Sequence, residues 1–143
     1  MIRPMDPGDL SRVLDIWLAA NLQAHDFLPA AYWRSNYEAV KQLLPSSDLY
    51  VFETGQQVDG FAGLLGHELA GLFVAPDRQS RGIGRALLLH CKGLYPALTL
   101  HAYQENRRAV EFYLRESFTI SAYTKDENTG AAEYEMTWRR TAT

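Results

Sequence analysis

The sequence predicts a single α/β (α+β) domain on a mixed sheet, and three observations predict it. Apolar residues at helical spacing come first in the chain. Short aromatic and β-branched runs between glycines follow. Between residues 69 and 103 a strand pattern then passes through a helical one into a second, almost continuously apolar strand, as a strand-helix-strand crossover does. The 143 residues, 47% hydrophobic and 22% charged, can bury one sizeable core and are too few for two ordinary domains. The domain is expected over residues 1–140, with 141–143 as a short tail and little depending on anything after Trp138.

A short strand is expected over residues 1–4. Asp6-Pro7-Gly8-Asp9 then supplies a capping aspartate, a proline at the first helical position and an acid in the first turn, ahead of Leu10, Val13, Leu14, Trp17 and Leu18 on one helical face. Residues 21–29 lack periodicity, after which Pro29 opens a second helix through Trp33, Tyr37, Val40, Leu43 and Leu44. Three strands in a meander follow at residues 49–52, 61–65 and 69–74, turning around Gly55 and Gly66. Pro76 ends the third, a helix spans about residues 82–92, and residues 97–103 form a buried strand. Asn106 can cap a helix carrying Ala109, Val110, Phe112 and Tyr113, and residues 118–123 and 134–138 make a terminal hairpin. The resulting order is β-α-α-β-β-β-α-β-α-β-β. The strand at 134–138 is expected to be exposed and free to pair between chains, so either a monomer or a homodimer fits.

A net charge of −3 and a pI near 5.8 argue against a nucleic-acid or anionic-membrane partner. The charge is uneven: residues 1–68 hold 4 basic and 9 acidic residues, whereas residues 69–143 hold 10 and 8, so an anion is more welcome in the second half. The single cysteine, Cys91, lies in a helical stretch that suits a small buried hydrophobe and a reducing compartment. No apolar run suggests a signal peptide or a membrane span, and a cytoplasmic location is expected. His90 and Cys91 diverge by about 100° on a helix, which fails metal-ligand spacing, and no metal is expected.

The chemistry is concentrated where the third meander strand meets a helix N-terminus, across Leu72, Phe73, Val74 and on through Arg78-Gln79-Ser80-Arg81-Gly82-Ile83-Gly84-Arg85. Unpaired N–H groups and the positive end of the helix dipole meet there, and glycines let a phosphate approach the backbone. Over residues 77–92 the bases Arg78, Arg81, Arg85 and Lys92 face one acid, Asp77. Taken alone, these features fit either a phosphate cradle or a solvated helix start. The leading glycine of a dinucleotide fingerprint is missing, as is the Gly-Lys-Ser/Thr of a nucleotide-triphosphate loop.

Gln79-x-x-Gly82-x-Gly84 resembles the coenzyme A pyrophosphate motif of the GNAT superfamily of N-acetyltransferases. The order of elements resembles that family's fold, the acyl-CoA N-acyltransferase fold, almost from end to end, and Asn106, Tyr113 and Phe118 resemble its downstream signature. The resemblance implies an acetyl-CoA-dependent transferase acting on a primary amine of a small molecule or of a protein. It implies that residues 79–84 (Gln79, Ser80, Arg81, Gly82, Ile83 and Gly84), with Arg85 beside them, hold the pyrophosphate. The strand backbone at Leu72, Phe73 and Val74 would pair with the pantetheine arm, which Asn106 contacts.

Acyl transfer to an amine needs a polarised carbonyl, a neutral amine and a proton for the leaving thiolate. Cys91 has no obvious base beside it, so direct attack in a ternary complex is preferred over a covalent acyl-enzyme. Tyr113 is the acid candidate, and its alternative is a tyrosine packed with Ala109 and Phe112 on one helix face. Glu68, 14 residues before Gly82, is one candidate base, at a position where the resemblance implies a glutamate. His101, five residues before Asn106, is the other, where family members place an acidic residue. A solvated strand-end carboxylate and a satisfied buried histidine are the alternatives. On the acceptor side, His25, Asp26, Phe27, Tyr32, Trp33 and Tyr103 offer an aromatic wall and a carboxylate, or else merely tie down the loop. A non-catalytic acyl-CoA sensor or regulatory module with the same fold is the rival reading.

Overall fold

In the computed structural model, which describes residues 1–141, the strands are β1 (Ile2–Pro4), β2 (Asp48–Thr54), β3 (Gln57–Leu65), β4 (Glu68–Val74), β5 (Ala97–Tyr103), β6 (Thr119–Lys125) and β7 (Ala132–Arg139). The helices are α1 (Leu10–Ala24), α2 (Ala30–Ser35), α3 (Tyr37–Leu43), α4 (Ile83–Leu94) and α5 (Arg107–Arg115). The seven strands form one sheet in the order β1-β2-β3-β4-β5-β7-β6, antiparallel everywhere except between β4 and β5. This is the mixed sheet flanked by helices that the sequence predicts.

Each face of the sheet has its own core. Against one, α4 and α5 press Ile83, Leu87, Leu88, Cys91 and Val110 onto Leu64, Leu98, Leu100 and Met136. Against the other, α1 and α2 press Val13, Ile16, Trp17 and Trp33 onto Leu49, Val51 and Phe61. The burial of residues 83, 87, 88 and 91 follows the 3.6-residue period that identified the helix in the sequence.

Local departures from expectation have local causes. The first helical turn is a 3-10 turn at Pro7–Asp9, because the Asp9 carboxylate reaches back to the Asp6 N–H (2.8 Å) while also gripping Arg3. The second helix breaks in two at Asn36, whose side-chain Nδ2 donates to the Tyr32 carbonyl at 2.7 Å and competes with the helical ladder. A larger correction concerns the C-terminal hairpin. β7 is inserted between β5 and β6 rather than exposed, so the edge belongs to β6. Arg140, expected to be dispensable, is anchored: its N–H donates to the Pro96 carbonyl (2.7 Å) and Nη2 to the Lys92 carbonyl (2.8 Å). Residues 142 and 143 of the expected tail lie outside the described residues.

The feature that positions the site is the junction of β4 and β5. They pair at one register position, Glu68 with Thr99, and diverge beyond it. β4 also carries a bulge: Gly63 opposes Gly71 but Leu64 opposes Leu69, so Ala70 is an extra residue. A bulge bends its strand and sharpens its twist, here where β5 leaves it.

Candidate active site

The divergence of β4 from β5 opens a cleft of about 640 Å³, walled by Leu72, Phe73 and Val74, by the loop into α4, by the start of α5 and by the last turn of α1. Past Glu68 no strand among the described residues pairs with the β5-facing edge of β4, so its backbone is free to bind an extended chain. The loop into α4 is held from below, Ala75 N–H donating to the Asp59 carbonyl at 2.8 Å. Ser80 and Gly82 take left-handed φ values of 65° and 81°. A Cβ at Gly82 would meet nothing within 4 Å, so backbone conformation rather than space calls for glycine there. Gly84 has ordinary φ, and a Cβ on it would make only normal contacts with Val74 and Phe112.

Of the residues carried by the motif, Gln79, Ser80, Gly82, Ile83, Gly84 and Arg85 line the cleft, and Arg81 is exposed outside it. Three further cations that sequence reasoning missed, Arg107, Arg108 and Arg115, line it from α5. Arg108 forks onto Gln79 Oε1 (3.0 Å) and Ser80 Oγ (3.2 Å), and Gln79 Nε2 donates to Gln23 Oε1 (2.9 Å) on α1. In the sequence, Arg107 and Arg108 directly follow the Asn106 cap and lie outside residues 77–92, over which the basic excess stands out. Arg78 also faces the cleft, its Nε 3.7 Å from the buried carboxylate of Asp59.

Asn106 caps α5 as expected, its Oδ1 accepting from the Ala109 N–H at 3.3 Å. Its Nδ2 donates to His25 Nε2 at 2.9 Å, and His25 Nδ1 lies 2.8 Å from Asn21 Oδ1. Burial pushes the imidazole of His25 down to about 4. His25 thus stands between the cleft, which it lines, and the acceptor-side cluster. Its ring stacks on Trp33 (5.2 Å between centroids) and meets Phe27 (5.7 Å) and Tyr103 (5.0 Å) edge-on. Tyr32 packs edge-on against Trp33 at 4.9 Å, and the Tyr103 hydroxyl donates to the Asp126 carboxylate in the β6–β7 turn. Asp26 is exposed and forms no ion pair among the described residues.

Tyr113 lines the cleft from α5, with its ring between Phe112 (5.2 Å) and Phe118 (5.4 Å). Burial raises its phenol well above the usual tyrosine range, so it holds its proton. The two candidate bases do not line this cleft. They sit together at the β4–β5 junction itself, beside the one register position that the two strands share, His101 Nδ1 3.8 Å from Glu68 Oε1. A third group, Glu135, extends the row: its Oε2 is 3.8 Å from His101 Nε2, and its Oε1 accepts from Ser121 Oγ at 2.9 Å. Glu135 was invisible in the sequence, because only the insertion of β7 beside β5 brings it opposite His101. Cys91 is fully buried with its thiol pushed up to about 11 by burial, which suits a packing role.

Residues 45–120 match the family model described as an acetyltransferase (GNAT) domain. The chain is 33% identical over 140 residues to the peptidyl-lysine N-acetyltransferase YiaC of Escherichia coli, covering 96% of each chain. The fold is similar to the solution structure of apo-form YjaB from Escherichia coli, with a TM-score of 0.88 and 27% identity over 99% of this chain and 98% of that one. It is also similar to the crystal structure of the PaiA N-acetyltransferase of Thermoplasma acidophilum in complex with coenzyme A (TM-score 0.80, 15% identity, 97% and 98% covered), a likeness of fold alone. With a matching family model and a relative aligned along nearly its whole length, the chain belongs to the GNAT acetyltransferases and is an acetyl-CoA-dependent N-acetyltransferase.

Proposed function

We propose that the protein acetylates the ε-amine of lysine residues in peptides or proteins, by direct attack of the amine on acetyl-CoA. One observation carries the reading: a basic cleft opens where β4 and β5 part, and the Glu68–His101–Glu135 row lies at the same junction, its His101 on the strand that also carries Tyr103 of the aromatic wall. The names of the relatives, peptidyl-lysine N-acetyltransferases, support the acceptor class.

The cleft fits acetyl-CoA in shape and charge: a free strand edge for an extended arm, N–H groups at a helix start, and arginines around them. We assign the arm to the backbone of Leu72, Phe73 and Val74, and the pyrophosphate to the Gln79–Gly84 loop with Arg78, Arg85 and Arg108. Acetyl-CoA supplies an acetyl thioester, whose carbonyl carbon the amine attacks. A lysine amine is protonated near neutral pH, so a base must first take its proton. Glu68, directly or through His101, receives that proton. The new N–C bond forms as the C–S bond breaks. Tyr113 hydrogen-bonds the departing sulfur and gives it a proton. A thiolate formed in that dry setting is itself more basic than in water, which brings the two proton affinities closer.

The test is thiol release from acetyl-CoA against lysine peptides, free amino acids, polyamines and simple amines, with mass analysis of the products. Acetylated lysine peptides are expected. Release confined to small amines would replace the acceptor class, and acetyl-CoA binding with no release across the panel would favour a sensor.

A further inference from the structure

We propose that His25 is a positioning residue for acyl transfer: its neutral imidazole locks the Asn106 amide at the rim of the cofactor cleft and ties the acceptor-side wall to the helix that carries Tyr113. The proposal rests on the cleft being the acetyl-CoA site and is independent of which amine is the acceptor.

Four hydrogen bonds run in series, and each fixes the next. Asn21 Nδ2 donates to the Trp17 carbonyl at 2.8 Å, which leaves Asn21 Oδ1 as an acceptor. That oxygen, 2.8 Å from His25 Nδ1, requires Nδ1 to carry the proton. At the far end the Ala109 N–H donates to Asn106 Oδ1 (3.3 Å), so Asn106 points its Nδ2 at His25 Nε2 (2.9 Å), which must be a bare lone pair. Both backbone anchors thus demand one tautomer, the neutral Nδ1–H form. An imidazolium would set N–H against N–H at Asn106. Burial of the ring favours the neutral form as well.

What this arrangement couples follows from the elements involved. His25 ends α1, and its ring is packed among Phe27, Trp33 and Tyr103 on the acceptor side. Asn106 begins α5, on which Tyr113 lies two turns further along. Displacement of the aromatic wall is therefore transmitted to the cap of the helix that presents Tyr113. The Gln23–Gln79–Arg108 chain holds α1 to α5 by a separate route, so loss of the His25 bonds leaves the helices docked.

The first measurement uses the unaltered protein. Ring nitrogen shifts of 15N-labelled His25 at pH 7 should report the Nδ1–H tautomer and should move on addition of acetyl-CoA. An Nε2–H tautomer or an imidazolium would overturn the proposal. The second compares acetyl-CoA affinity by calorimetry in His25→Phe, His25→Gln, Asn106→Ala and the His25→Phe/Asn106→Ala double variant, each checked by thermal melting. His25→Phe keeps a ring but no polar atoms, and about tenfold weaker binding is expected, the worth of one hydrogen bond in a dry site. His25→Gln, which offers an acceptor and a donor at similar spacing, should recover most of that loss. The double variant should bind no more weakly than Asn106→Ala alone. Unchanged affinity in His25→Phe, no recovery in His25→Gln, or additive losses would each refute the coupling. Failure of the unaltered protein to bind acetyl-CoA would instead sink the reading of the cleft, while the tautomer measurement would stand.

Discussion

Tyr113→Phe separates packing from chemistry at a single oxygen atom. The ring lies between Phe112 and Phe118, and no hydrogen bond engages its hydroxyl among the described residues. Removing the oxygen strands no partner and keeps the ring contacts, so stability should change by no more than about 0.5 kcal/mol. If the hydroxyl serves the departing sulfur, kcat should fall about 100-fold, or about 2.7 kcal/mol of transition-state stabilisation. Acetyl-CoA affinity should meanwhile stay within about twofold. The assay is thiol release at saturating lysine peptide, with calorimetric binding and a denaturant melt on the same preparation. Turnover equal to the unaltered protein, with binding and stability intact, would refute the role and leave Tyr113 a core residue.

Glu68→Gln should lower turnover at neutral pH by about 10- to 100-fold, with the loss shrinking at high pH as the amine sheds its own proton; a pH-independent loss in the rate profile would count against a base. Cys91, fully buried with its thiol raised to about 11, should react with a thiol reagent only when the protein is unfolded, and reagent treatment of the folded protein should leave activity intact. His25 titrates near 4 when folded against about 6.5 when unfolded, so between those values the unfolded chain binds more protons. Stability should therefore be complete above pH 6.5 and fall by about 2 kcal/mol toward pH 4, a figure reduced for the partial exposure of the ring. His25→Gln should flatten that slope in denaturant melts.

Most of this molecule was legible residue by residue wherever short-range physics decides. The strand at 97–103 and the cap at Asn106 emerge where apolar runs and capping chemistry put them. The glycine at 82 has the left-handed backbone that a strand-to-helix turn demands. What escaped was decided at long range. No periodicity announces that β7 slips between β5 and β6, and with that insertion came both the site of Glu135 and the edge position of β6. Likewise, His25 and Asn106 are 81 residues apart, and nothing in either segment advertises a bond between them. Asn36 shows the opposite failure: a local side-chain bond broke a helix whose apolar spacing ran straight through it.

The single stitch between Glu68 and Thr99 gives the sheet the mechanics of two panels sharing one seam. The β1–β4 panel and the β5–β7–β6 panel are bolted together on the α4 and α5 side, where one core spans both. On the proposed assignment, a cofactor arm laid along the free edge of β4 would act as a temporary strand, supplying from solution the rungs that the polypeptide leaves out. Cofactor binding would then be the last step of sheet assembly. Amides of the two panels should exchange with solvent as separate groups in the free protein and as one group once the gap is filled, so that protection spreads well beyond the residues that touch the ligand.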